Sequence, residues 1–382
     1  GIQNVLIGGL AGDALTDADY NIAIGKEALT TDTLGSKSVA VGMGTLANQN
    51  FTTETDSFNT AIGHIAGNAI TTGVGNILVG GLAGDALTDA DYNVAIGNSA
   101  LTTDTLGSRT VAIGNGALGS QNFTTAANSY NVAIGMDAGS AVTTGQYNTL
   151  VGGNAGDALT DADDNTALGT SALTSDTLGS RSTAIGLNTL STQNFTTATA
   201  TYNVAVGYAA GNVITTGVQN SILGALAGDA LTDADYNVAV GLHALGTDTL
   251  GSKSTAIGTQ ALFTQNFTTA TDTFNTAVGY DAGRSVTTGT NNTLIGGLAG
   301  DALTTGSHNI AIGKGTLTAD DLGSLSVAIG YEALAAQNYA TATSSYNTAV
   351  GASAGYAVTT GTGNTIMGGL AGDALTTGTY NT

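Results

Sequence analysis

Asn93-Val94-Ala95-Ile96-Gly97 is one copy of a short word, Asn-x-Ala-Ile-Gly and close variants, whose recurrence decides the fold of this chain. The words end at Gly8, Gly25, Gly42 and Gly63 before Gly80 restarts the series, so the spacings are 17, 17, 21 and 17 residues and sum to 72. Continued to Gly368, the series holds 21 words, and every one keeps its final glycine. A second word, Gly-Asp-Ala-Leu-Thr, opens at Gly12, Gly84, Gly156, Gly228, Gly300 and Gly372, always 72 residues apart. Self-similarity at a fixed period marks a stack of repeated units rather than an ordinary globular topology.

Each word reads as a short strand, because Val94, Ala95 and Ile96 alternate between two faces and Gly97 closes the run with a permissive backbone. The position of Ile96 is always Ile, Val, Leu or Met, which predicts burial; that of Val94 also accepts Thr60, Thr166 or Ser221, which predicts a place near an edge. The middle position is Ala in three coils of four, as in Ala23, Ala40 and Ala61, and Leu or Ile in the fourth, as in Leu78. A face of small apolar residues predicts close packing against a neighbour, so Ala23, Ala40, Ala61 and Leu78 are the candidate oligomer face. After the glycine a short corner leads to a second run with one large apolar residue, Leu15, Leu34, Phe51 or Ile70, read as a second strand. A turn such as Thr71-Thr72-Gly73-Val74-Gly75-Asn76 returns to the next word.

The expected fold is therefore all-β: a parallel β-solenoid or β-roll of about 21 coils, continuous over residues 1–382 and open at both ends as a piece of a longer array. Coils stacked about 4.8 Å apart would make a rod on the order of 100 Å long. The 21-residue coil carries four extra residues around Asn50-Phe51-Thr52-Thr53, so Asn50, Phe51 and Thr52 are the candidates for an exposed loop recurring roughly every 19 Å. The invariant Gly8, Gly25, Gly42, Gly63 and Gly80 are the structural glycines. The few aliphatic side chains of one coil do not offset the entropy of ordering it. This predicts a homo-oligomer, most simply a homotrimer of thin rolls.

Composition narrows the function. Only 9% of residues are charged while 42% are hydrophobic, the reverse of a disordered chain. A net charge of −21 with seven basic residues argues against nucleic-acid or anionic-membrane binding, both of which need clustered Lys and Arg. With no cysteine there are neither disulfides nor thiolate metal sites, and no apolar run reaches transmembrane length.

The words resemble the YadA-like head repeats of trimeric autotransporter adhesins, whose hallmark is Asn-Ser-Val-Ala-Ile-Gly. Ser326-Val327-Ala328-Ile329-Gly330 reproduces five of those six residues, and Asn131-Val132-Ala133-Ile134-Gly135 lacks only the serine. The resemblance covers the whole chain and implies a left-handed, trimeric parallel β-roll exposed as a surface fibre that binds host matrix or other cells. Coils of 17 and 21 residues with Thr-Thr-Gly-x-x-Asn turns depart from that family's shorter coil and look more like the related repeats of phage tail fibres.

Side chains with other possible uses read as structure. Gly8-Gly9-Leu10-Ala11-Gly12-Asp13 has no Lys-Ser or Lys-Thr after it and no helix pattern, so it is a coil corner and not a phosphate loop. Asp13, Asp17 and Asp19 are the candidate calcium ligands. Replacement of the Asp17-Ala18-Asp19 segment by Thr305-Gly306-Ser307 and Thr377-Gly378-Thr379 makes capping the better reading, with no cofactor required. Asp32, Asp104, Asp176 and Asp248 recur in phase with Lys37, Arg109, Arg181 and Lys253, which predicts repeated surface ion pairs. Phe58, Tyr130, Tyr202, Phe274 and Tyr346 form one aromatic column, and Phe51, Phe123, Phe195, Phe267 and Tyr339 another, both expected to pack under the long loop rather than to stack on glycans. His64, His243 and His308 fall in unrelated phases, and no nucleophile, base and orienting group can be assembled. Asn-Phe-Thr at Asn50, Asn122, Asn194 and Asn266 fits the glycosylation acceptor sequence, relevant only in a source that glycosylates secreted proteins.

The expected function is thus a non-enzymatic structural segment of an extracellular or virion fibre, a spacer or attachment shaft. The alternative is the head of a bacterial trimeric adhesin, with any receptor or glycan bound through regions outside this segment. A polysaccharide-cleaving tailspike would need a coil that breaks the pattern to present paired carboxylates. An ice-binding solenoid would need Thr-x-Thr on every coil.

Overall fold

A three-residue strand is too short to persist alone, but it persists when hydrogen-bonded to an identical strand on each side. The computed structural model, which describes residues 1–382, is built that way: an all-β parallel β-solenoid of about 21 turns with no helix. It divides into two units, Gly1–Ile185 with Asn194–Ala200, and Gly186–Gln193 with Thr201–Thr382. In the first unit eleven word strands, from Val5–Ile7 to Thr183–Ile185, pair in parallel, each with the next along the chain. In the second, ten strands from Val204–Val206 to Thr365–Met367 do the same. Register is word on word: Val94 lies opposite Val111, Ala95 opposite Ala112 and Ile96 opposite Ile113.

The invariant glycine follows from that register. Gly63 has φ +145°, and a Cβ there would stand 2.2 Å from the carbonyl oxygen of Gly80, the equivalent glycine of the next coil. Gly8, Gly25, Gly42 and Gly80 are in the same position, with the next glycine's oxygen 2.1 to 2.5 Å from any added Cβ. The column of glycines is where successive backbones come closest.

Two expectations are corrected. The run after the corner is no second strand: Leu15, Leu34, Phe51 and Ile70 lie in turns, bends or unassigned backbone. These segments still bond from coil to coil, as in Thr71 N–H to Thr88 O at 2.9 Å, but extended pairing appears there only at the long coil, where Gly35–Ser36 pairs with Thr55–Asp56. The strand faces are also reversed. Ala23, Ala40, Ala61 and Leu78 are fully buried inside their own coils, so they form no oligomer face, while Ile96 is 36% exposed and Ile62 41%. The reason is thickness: a 17-residue loop of chain encloses little room, and the smaller side chain takes the inside.

The bulky fourth word is part of the same packing. Where the strand supplies Ala95 or Ala112, the corner supplies Leu101 or Leu118, all four fully buried. Where the strand supplies Leu150, the corners are glycine: a Cβ on Gly139 would stand 2.7 Å from Leu150 Cδ1, and one on Gly156 2.8 Å from its Cδ2. One strand leucine thus occupies the space beside two corner glycines, its own and that of the preceding Ala133 coil, which keeps the enclosed volume filled. Leu150→Ala leaves nothing to fill the space between those glycines. It is expected to lower unfolding free energy by about 2–5 kcal/mol, checked by the denaturant midpoint.

Candidate functional site

The word's asparagine starts a buried polar ladder. Asn93 N–H donates to Asn76 Oδ1 at 2.9 Å, and Asn93 Nδ2 donates to Gly107 O at 2.9 Å. In the long coil a hydroxyl, Ser38 or Thr110, replaces the asparagine, and a denser cluster forms around a carboxylate. Asp32, Ser38, Gln49, Ser57 and Asn59 are all fully buried. Asp32 Oδ1 accepts from the amides of Gly35 at 3.0 Å and Phe51 at 3.2 Å, and Oδ2 accepts from Gln49 Nε2 at 2.6 Å. The same Gln49 nitrogen donates to Ser38 Oγ at 2.8 Å, Ser38 and Ser57 hydroxyls bond at 2.5 Å, and Asn59 Nδ2 donates to Gln49 Oε1 at 2.9 Å.

The cluster recurs around Asp104 with Gln121 and Asn131, around Asp248 with Gln265 and Asn275, and around Asp320 with Gln337 and Asn347. Asp176 likewise accepts from the amides of Gly179 and Phe195, at 3.0 and 3.1 Å. Sequence reasoning missed the glutamine. The signal was present, because Gln49, Gln121, Gln193, Gln265 and Gln337 recur in phase with the aspartates.

These aspartates therefore do not pair with the basic residues as expected. Lys37 Nζ pairs with Asp56 Oδ2 at 2.5 Å and Lys253 Nζ with Asp272 Oδ2 at 2.5 Å, across the short two-stranded sheets. The Arg109 guanidinium donates to Asn128, and Arg181 Nε lies 3.5 Å from Asp164 Oδ2.

The candidate calcium ligands serve separate turns. Asp13 Oδ1 accepts from Thr30 Oγ1 at 2.6 Å, Asp19 Oδ1 from the Ile2 amide at 2.5 Å, and Asp17 lies 3.8 Å from the chain's terminal ammonium. No group of three or more His, Asp or Glu side chains is placed to share an ion. Asp17, Asp19 and Tyr20 do line an open notch of about 540 Å³ beside Lys37, Glu54 and Asp56, and a smaller one recurs at Asp89, Asp91 and Asn128. The Asp–Thr link fails once: Gly246 stands where Thr30, Thr102, Thr174 and Thr318 are found, and Asp229 Oδ1 is buried without a partner. Phe263 fills the space beside Gly246, with its ring edge-on to His243 at 5.6 Å.

The aromatic columns part company. Phe51, Phe123, Phe195, Phe267 and Tyr339 are buried, so Phe51 is not a loop-surface residue, whereas Asn50 and Thr52 are exposed. Tyr339 carries a hydroxyl where the others have none, and it is satisfied by donating to Gly361 O at 2.7 Å. Burial and the nearby Asp320 push that phenol up to about 12. Phe58, Tyr130 and Phe274 stay exposed, but ring faces are covered: Lys37 Nζ lies 5.2 Å from the Phe58 centroid, Lys253 Nζ 5.3 Å from Phe274, and Tyr130 stacks on Tyr147 at 5.5 Å. Arg109 sits 5.9 Å from both Tyr92 and Tyr130. Phe58, Tyr130 and Phe274 thus each have a cation or a second ring against them, while Tyr346, with Leu325 in place of the cation, is the most exposed of the column.

Because Asp13 and Asp19 already accept hydrogen bonds and no group of three carboxylates is gathered, a chelator is expected to leave the melting midpoint unchanged, and a large loss would require a bound ion. Burial raises the carboxyls of Asp163, Asp229, Asp301 and Asp320 above the ordinary 3.8, in Asp320 against the opposing bonds from Gln337 and Gly323. Such groups bind protons more tightly folded than unfolded, so their contribution to stability falls as pH rises through the folded values and grows as pH drops toward 3.8. The melting midpoint is expected to rise between pH 7 and about pH 4–5, measured by circular dichroism; a fall across that range would contradict the assignment.

No family model matches this chain, and neither a curated protein nor a solved structure is significantly similar to it.

Proposed function

We propose that this chain is the repeat segment of an extracellular or virion fibre, a non-catalytic shaft that sets length and spacing and associates with copies of itself as a homotrimer. What carries the reading is the outward side of the word strands. Ile62, Ile77, Ile96, Ile134 and Leu168 are exposed along one ladder of the first unit, and Val204, Leu223, Ile257 and Ile295 along that of the second. A repeated outward row of aliphatic side chains of this kind on a chain of net charge −21 is an interaction face. A strand face repeated at every coil is matched by the same face on another copy.

The expected oligomer face moves from the alanines to their neighbours, and the argument for self-association strengthens, because the apolar area left outside is larger than the alanines would provide. The uninterrupted pattern supports a shaft rather than an enzyme: no word is broken to build a groove. Its acidity suits a surface that repels other fibres. The adhesin-head reading shares this architecture and differs in what the flanking regions do.

Ile96→Asp with Ile134→Asp tests the face. Light scattering on the unaltered chain is expected to give a trimer. The double variant is expected to give a monomer with unchanged β-sheet circular dichroism, because both side chains point away from the coil interior. A monomeric unaltered chain, or a trimeric variant, would remove the proposal.

A further inference from the structure

The interfaces between successive coils are not equivalent. Within each unit all share the strand ladder and the Asn ladder, with the hydroxyl of Ser38 or Thr110 in place at the long coil. Three of the four interfaces in a 72-residue period add hydrogen bonds at the rim, and the one after the long coil also has the single buried Asn59–Gln49 bond. Thr71 Oγ1 to Thr88 O at 3.3 Å, Thr72 Oγ1 to Asp89 at 2.6 Å, and Thr102 Oγ1 to Asp85 at 2.6 Å are of this kind, exposed or half-buried. The fourth adds the fully buried Asp32–Gln49 pair, the Asp32 bond to the Phe51 amide, an extra parallel pair of strands and the Lys37–Asp56 ion pair. In the next period the same interface carries Asp104, Gln121 and Phe123.

We propose that these clusters act as stops, so that the shaft gives way under axial tension in blocks of four coils rather than coil by coil or all at once. A coil peels from an exposed end by losing its ladder to one neighbour only, since in a solenoid each repeat touches only the repeats beside it. Peeling proceeds through the rim-bonded interfaces until it meets a stop. There, separating the coils takes the Gln49 and Phe51 donors from Asp32 together and leaves it the Gly35 amide and water, which is more costly than freeing a single threonine hydroxyl. Once that interface parts, the next three offer less resistance. The segment is then a force-limiting element: it keeps a fixed length below a threshold and releases 72 residues at a time above it. This does not depend on whether copies of the chain associate.

The absence of cysteine makes the measurement direct, since cysteines added before Gly1 and after Thr382 are the only attachment points. Pulling single full-length chains in an optical trap is expected to give contour-length gains of about 230 Å, the extended length of 72 residues less their folded rise. Gains of about 55 Å, one 17-residue coil, or release of the whole chain in one event, would overturn the proposal. Gln121→Leu removes the amide that joins Asp104 to Thr110 and is expected to merge two neighbouring gains into one of twice the length; Thr88→Val, which loses only a rim bond, leaves the pattern intact. An unchanged pattern in Gln121→Leu also counts against the stops. Should that variant not fold, amide exchange in the unaltered chain decides. The Phe51 and Phe123 amides, bonded to buried carboxylates, are expected to exchange at least about tenfold more slowly than those of Thr71 and Thr88, and equal rates would remove the proposal.

Discussion

The close approach of glycine to glycine in successive coils is the constraint on which the remaining structure depends. With each carbonyl lodged where the preceding coil's Cβ would be, the coil can neither tilt nor take a side chain at that point. Strand pairing then has one register, word on word, and everything attached to a word is stacked on its equivalent. The asparagine ladder, the aromatic column and the buried aspartate clusters are consequences of stacking identical phases. Irregularity survives only where it is itself repeated, as the long coil is.

Architecture was legible because the period is encoded in residues that have no alternative. Gly8 to Gly368 fix the coil boundaries, and their spacing gives the number of turns without any appeal to packing. Orientation was not legible. A Val-Ala-Ile strand has two faces, and assigning the larger residues to the interior is sound for a sheet packed against a second layer. Here the opposing wall is the chain's own corner, Leu29 or Leu46, so Ala23 and Ala40 fit inside and their neighbours do not. The same thinness explains why Leu15 and Leu34 form no strand: with only part of a short circuit available, the chain turns through corners at Tyr20, Leu29 and Lys37 whose φ is positive. Such backbone is costly in isolation and persists here because the ladder on either side fixes it.

The buried clusters show why charge was harder to read than apolarity. Asp32 and Lys37 are five residues apart and recur together, which is the usual mark of a surface pair. What separates them is the cross-coil direction. Asp32 meets Gln49 from the following coil, 17 residues on, and Lys37 meets Asp56, 19 residues on. In a solenoid the relevant neighbour lies one circuit away, so pairs have to be sought at the period of the coil. Read at that interval, the recurrence of Gln with Asp in the long coil identifies the cluster, and Thr30 with Asp13 identifies the turn link.

The seating of a strand leucine beside two corner glycines closes within a single period. Leu150 answers to Gly139 and Gly156, and no contact of that kind reaches beyond its adjoining coils. A stretch of 72 residues is thus a self-consistent module whose first and last surfaces match those of any other copy. Genetic duplication or loss of one whole module preserves every core contact, whereas gain or loss of a single coil at that point sets a strand leucine against a corner leucine, or leaves a corner glycine with no leucine beside it. Length in this architecture is inherited in units of four coils, and descendants of such a gene would differ in reach before they differ in sequence.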